Sequence, residues 1–413
     1  MRSYKNIPLW AKILAAIIIG AAVGIVSPAA AEAISPLGDV FLRLLKMLIV
    51  PLVFFTLVSG VCKTGDIKQL RSVGGRTVLY FVVTSTVAAA VGTVLALITQ
   101  PGKGTTDFLQ GVAAAEAQSY SFIDNIVTWV PTNIVEAMAS ANMLQIIFFS
   151  IILGIALLTL GEKVSPLITI IDQCAEGMLK VTDFVMAFSP YGILALIAGM
   201  VSTLSGAMMK EVFVFIATDI VACVSFIFIC YPLMLKFMAK VSPIKFVRNI
   251  APAMLVAAST SSSAATLPVS IKCAEEKLGV PEYIYGFCLP LGNTCNMNGM
   301  AIAIGCISVF ASNLYGLKIT PALLFQFVFL GLILSIGAAG VKGAGVVMST
   351  VLLQTLGLPL TLIPILAAIW PVIDPGHTTA NNVGDLACTT VVAARLNKLD
   401  REKFNGNIKL EQH

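Results

Sequence analysis

Charge is scarce in this chain of 413 residues: Asp, Glu, Lys and Arg together make up 11%, against roughly a quarter in ordinary globular proteins. Hydrophobic residues make up 58%, and the mean hydropathy is +0.94. A soluble fold could not hide that much apolar sequence, which excludes the common soluble classes. A long basic run is missing too, so the formal net charge of +5 reports on short loops, and no nucleic-acid partner is expected. Histidine is limited to His377 and His413. The nine cysteines mostly fall singly in apolar runs, with no C-x-x-C, which excludes the usual metal and redox spacings and points to packing in a reduced or lipid-embedded interior.

What is present in abundance is long apolar sequence. Segments 7–26, 78–98, 143–160 and 212–235 each approach or exceed the ~20 residues a helix needs to cross ~30 Å of hydrocarbon. The expected class is an all-α polytopic membrane protein in a lipid bilayer. Basic residues orient it: Arg2 and Lys5 precede the first span, and Lys63, Lys68, Arg71 and Arg76 follow the second, whereas the loop at 28–37 carries only Glu32. Lys236, Lys240, Lys245, Arg248 and the basic tail 395–403 fall on the same side as the N-terminus, so both termini are expected in the cytoplasm, with 100–142 outside. The first span is expected to be a retained helix and not a removed signal peptide.

The second half is less regular. From residue 250 onward the apolar runs are interrupted by STSSSAAT (259–266), GNTCNMNGM (292–300), GAAGVKGAG (337–345) and DPGHTTANNVGD (374–385). Irregular backbone at membrane depth survives only where it is buried in protein or lines a wet cavity, and paired interruptions point to a transporter's substrate site. The first and third interruptions sit between arms too short to cross alone, which suggests two re-entrant hairpins. In the fourth, Asp374, His377, Asn381 and Asp385 fall at steps of three, four and four, on a helix stripe of about 80°. An extramembrane loop around Pro375 and Gly376 is the alternative. Ionisable groups at mid-bilayer default to an ion or substrate pathway.

SSSAATLP (261–268), NMNG (296–299), SIGAAGVKGAG (335–345) and D-x-G-x-T-x-x-N-x-x-G-D (374–385), in that order, resemble the dicarboxylate/amino acid:cation symporter family, as do 41–61 and 130–157 upstream. The resemblance implies about eight transmembrane helices plus two re-entrant hairpins in a glutamate-transporter-like elevator fold, assembled as a homotrimer in the cell's inner (plasma) membrane. The implied division is scaffold helices in 1–75 and 101–208 and a transport domain in 76–100 and 209–396, with broken seventh and eighth helices and a tail at 397–413.

Sodium is the implied coupling ion. The residues and the resemblance together give one site to Gly292, Asn296, Asn381 and Asp385, since a dehydrated cation wants unwound-helix carbonyls and a carboxylate. The resemblance implies a second site at Thr294 with Ser335, Ile336 and Ala338, and a third at Thr84 and Ser85. At the third, Asn298 stands where the family has a carboxylate and Phe81 where it has tyrosine. Asp374 matches the family's partner for a substrate amine, Asn381 and Ser261, Ser262 and Ser263 its carboxylate contacts, and Val341, Gly345 and Thr378 further lining.

Carriers of acidic substrates in this family use an arginine and a threonine for the side-chain carboxylate. Those positions are His377 and Met300, a titratable ring and a thioether. The expected function is therefore sodium-coupled symport of a small neutral L-amino acid such as serine, alanine, threonine or cysteine. The alternative is a sodium- or proton-coupled carrier of aspartate, glutamate or a dicarboxylate that uses protonated His377. An intramembrane serine hydrolase built on Ser261–Ser263 and His377 lacks a G-x-S-x-G elbow. A gated anion channel leaves two lid-like tips without a role.

Overall fold

The computed structural model describes residues 9–62, 67–105, 130–203, 205–337 and 344–406, together with Val127. Every regular element among them is helical: α1 Leu9–Val26, α2 Pro28–Cys62, α3 Ile67–Thr99, α4 Ile134–Ala139, α5 Met143–Leu160, α6 Ser165–Thr203, α7 Gly206–Ala239, α8 Pro243–Thr260, α9 Ser263–Glu276, α10 Glu282–Cys295, α11 Asn298–Leu314, α12 Pro321–Gly337, α13 Ala344–Thr355, α14 Ile363–Arg395 and α15 Arg401–Asn405. Among the described residues six helical segments are long and apolar enough to cross a membrane, where the resemblance implied about eight. The difference lies in Gln145–Thr203, which joins α5 and α6 through the 3-10 turn Gly161–Val164, and in α1, whose apolar stretch Ala11–Val26 falls short of the full span length. All nine cysteines are free thiols.

Burial separates two bundles. In the first, α2 packs along α6 and α5, with α1 against α6. The second is built around α11 and the C-terminal half of α14, whose side chains are buried almost throughout, with α3, α7, α8, α10, α12 and α13 packed about them. The bundles meet where α14 touches α6 and α1, and where α10 and α13 touch α2. Large apolar side chains that face outward, among them Leu14, Ile18, Ile19, Val78, Leu79, Phe213, Phe228 and Phe237, form the lipid-facing surface that the hydropathy demands.

The first, second and fourth interruptions are shorter than the sequence suggested. In the first hairpin α8 runs to Thr260 and α9 starts at Ser263, so only two serines leave the helical path. Ser261 takes φ +46° and ψ +41°, which ends α8, and the Ser262 hydroxyl accepts from the Ala265 amide and caps α9. In α10–α11 the break is Asn296 and Met297, with ψ of 66° and 64°. The expected break of the last helix takes another form: α14 is continuous through Pro371 and Pro375, and 374–385 lies wholly inside it, not in a loop. The second hairpin is α12 and α13. Ala338 and Val341 lie outside the described residues, as do Arg2, Lys5, Lys63 and most of the expected outer loop.

Candidate functional site: a polar core where broken and proline-bearing helices meet

Asp385 is the centre of the first cluster. Its carboxylate is 2% exposed and accepts from the Asn296 side-chain amide at 2.8 Å. It presses against the backbone of Gly292, where a Cβ would overlap it. No cationic side chain among the described residues pairs with this carboxylate. A buried anion held by one neutral donor calls for a cation. The donors around it suit sodium: a carboxylate, the amide of Asn296, and the unwound backbone at Asn296 and Met297. Asn381, one turn before Asp385, accepts from the Gly299 amide at 2.7 Å and donates to the Met297 sulfur at 3.2 Å, so the same unwound link is clasped from both sides.

A second cluster adjoins it. Ser85 donates to Asn298 Oδ1 at 2.8 Å, and Asn298 Nδ2 donates to the Tyr231 hydroxyl at 2.7 Å. Thr84 Oγ1 lies 3.3 Å from both Asn298 Nδ2 and Asn296 Oδ1, which links this cluster to the first. Thr84, Ser85, Asn298, Asn296 and Asp385 are thus joined in one buried network. Thr294 and Ser335 are not brought together by hydrogen bonds; each hydroxyl returns to its own helix, at Leu291 and Leu332. Ile336 is half-buried at the end of α12.

The expected substrate residues divide. Ser263 accepts from Asn382 at 3.3 Å, which ties the first hairpin's tip to α14. Ser261 and the half-buried Asp374 line one end of a crevice of ≈ 570 Å³, with Trp370, Val346 and the apolar faces of α1, α2 and α6 forming its walls. Gly345 lies under the Trp370 ring, Met300 and Thr378 are buried nearby on α11 and α14, and Gly299 abuts the backbone of His377.

His377 departs from the inward stripe. Its ring reaches across to α7, where Nε2 donates to Asp219 Oδ2 at 2.7 Å, and the two side chains are 2% and 0% exposed. Its ring centroid lies 5.3 Å from that of Trp370. Asp219 is the buried partner of a site residue that sequence reasoning missed. The signal was present: it is the one ionisable carboxylate in the apolar run 212–229, and an intramembrane carboxylate is expected to have a partner.

The model of the sodium:dicarboxylate symporter family matches residues 9–395. The chain is 31% identical over 410 residues to a proton/sodium-glutamate symport protein of Bacillus caldotenax, covering 97% of each chain. It is 34% identical over 388 residues to a proton/glutamate-aspartate symporter of Escherichia coli (strain K12), covering 90% of this chain and 87% of the relative. It is 29% identical to a C4-dicarboxylate transport protein of Bacillus subtilis (strain 168), covering 98% and 96%. These are transporters and not enzymes, which removes the hydrolase alternative. A buried, cation-demanding carboxylate at a broken helix and a full-length family match lead to one conclusion: the chain belongs to the sodium:dicarboxylate symporter family.

Proposed function

We propose that this protein is a sodium-coupled symporter that imports a small neutral L-amino acid of the serine, alanine, threonine or cysteine type. The observation that carries the substrate class is the Asp219–His377 pair. Where a substrate's side-chain carboxylate needs a positive charge, His377 is already bound to a buried carboxylate, so the pair offers no net positive charge and, with a neutral imidazole, presents the negative charge of Asp219 to an acidic side chain. Met300 adds an apolar wall.

Asp374 pairs with the substrate amine, and Asn381 with the tip serines Ser261 to Ser263 takes the α-carboxylate, with Thr378, Gly345 and Val341 as further lining. Sodium at Asp385, Asn296, Asn381 and Gly292 neutralises the ion-site carboxylate. A second ion at Thr294, Ser335, Ile336 and Ala338 ties occupancy to the second hairpin, and Thr84, Ser85 and Asn298 are the remaining candidate ligands. The two bundles supply a scaffold and a moving transport domain for an elevator cycle, in a homotrimer of the inner membrane with both termini cytoplasmic.

A second reading has its own support. The relatives are named for glutamate, aspartate and C4-dicarboxylates and none for a neutral amino acid, which favours an acidic substrate paired with protonated His377. Substrate titrations of the purified protein in saturating sodium, with serine and aspartate at pH 5.5 and 7.5, separate the two. The neutral reading expects serine to bind tightly at both values. Tight aspartate binding by the wild type, strongest at pH 5.5, would establish the second reading in its place.

A further inference from the structure

Tyr231 lies in the C-terminal half of α7, a membrane-length helix whose sequence shows no polar face at that point. The backbone there is unusual. The amides of Tyr231 and Lys240 reach back five residues, to Phe226 and Leu235, so that π-helical stretches Phe226–Cys230 and Leu235–Ala239 flank the four α-helical residues Tyr231–Met234. Such bulges shift the register of a helix face and recur at functional sites. Here they accompany a tyrosine that is 1% exposed and stacked edge-on against Phe226, with its hydroxyl between α11 and α14.

That hydroxyl is fully used. It donates to the Ala380 carbonyl at 2.9 Å and accepts from Asn298 Nδ2 at 2.7 Å. α14 is shaped to receive it, because a Cβ at Gly384 would overlap the hydroxyl. Ala380 precedes Asn381, and Gly384 precedes Asp385. One phenol therefore pins the turn of α14 that carries both polar residues of the ion site to the first residue of α11, beyond the unwound link. Through Asn298 and Thr84 it also connects to Asn296, the donor to Asp385.

From this geometry we infer that Tyr231 is a positioning residue of the cation site: it sets the spacing between Asp385 and the unwound Asn296–Met297 link without touching the ion. The inference rests on the assignment of a coupling cation to Asp385. Removal of the hydroxyl leaves Asn298 Nδ2 and the Ala380 carbonyl without their shared partner. The site then has to be drawn together by the cation itself, at the expense of cation affinity, whereas the substrate contacts at Asp374 and the serine tip stay in place.

The experiment is a sodium titration of thermal unfolding on the purified full-length protein without substrate, followed by substrate affinity at saturating sodium. In Tyr231→Phe the sodium midpoint should rise roughly tenfold, the scale of one to two neutral hydrogen bonds. Substrate affinity at saturating sodium should stay within about twofold of wild type. The same loss should not add to that of Asn298→Ala, since the two act through one bond. If Tyr231→Phe does not fold, Gly384→Ala, whose Cβ displaces the hydroxyl and leaves every candidate ion ligand in place, carries the same expectation. An unchanged sodium midpoint, or a drop in unfolding temperature equal at every sodium concentration, reduces Tyr231 to packing and overturns the inference. A wild-type protein indifferent to sodium would instead remove the coupling-ion assignment itself.

Discussion

Asp219→Asn tests the physical basis of substrate choice. The substitution keeps the size of the side chain and an oxygen to accept from His377 Nε2, and it removes one negative charge from the pair. A substrate side-chain carboxylate on the far side of the imidazole would sit about 7 Å from Asp219, given 2.7 Å to Nε2, the width of the ring and one further hydrogen bond. At an effective dielectric of about 20, like charges at that separation repel by about 2.4 kcal/mol, roughly fifty-fold in affinity. Removal of Asp219 lifts that penalty. Aspartate affinity of Asp219→Asn at pH 5.5 should therefore rise by tens of fold, while serine affinity changes little. Isothermal titration in saturating sodium reads both. Aspartate affinity equal to wild type at pH 5.5, in a variant that still binds serine, would refute the claim that the pair's charge balance decides the substrate.

Three further substitutions probe the site. Asp385→Asn preserves volume and removes the carboxylate, so substrate affinity should lose most of its sodium dependence; an unchanged sodium response in binding titrations refutes the ion assignment. Asp374→Ala should abolish amino acid binding and spare sodium-induced thermal stabilisation, whereas loss of both points to an ion-ligand role or misfolding. His377→Arg places a permanent charge beside Asp219 and should weaken serine binding and admit aspartate, more so when combined with Met300→Thr; competition uptake at pH 7.5 checks the order.

Local chemistry was legible in the sequence wherever it announced itself as polarity in hydrocarbon. The serine run marked the turn at Ser261 and Ser262, GNTCNMNGM marked the unwound Asn296 and Met297, and helical spacing put Asp374, His377, Asn381 and Asp385 on one element. What the pattern could not supply was partners. His377 and Asp219 are 158 positions apart, and the single carboxylate in α7 gave no sign of which helix it would face. The stripe on α14 serves several neighbours, with His377 turned to α7 and Asn381 to the unwound link, while Asn382 beside it faces the first hairpin. Tyr231 was hidden for another reason: its orientation depends on two five-residue backbone bonds, and apolar periodicity assumes an α-helical register throughout. The length of the interruptions was overestimated because serine and glycine both end helices and cap them, so a polar run of eight residues closes with only two outside the helix.

The central claim is cation-driven accumulation of a neutral amino acid, and uptake of radiolabelled serine into proteoliposomes tests it most directly. With an inward sodium gradient and the wild-type protein, serine should accumulate above its external concentration. An inside-negative potential should speed uptake, since two sodium ions with a zwitterion carry two charges, worth about 4.6 kcal/mol at 100 mV. Equilibration of serine without accumulation, or accumulation of aspartate in its place under the same gradient, would contradict the account.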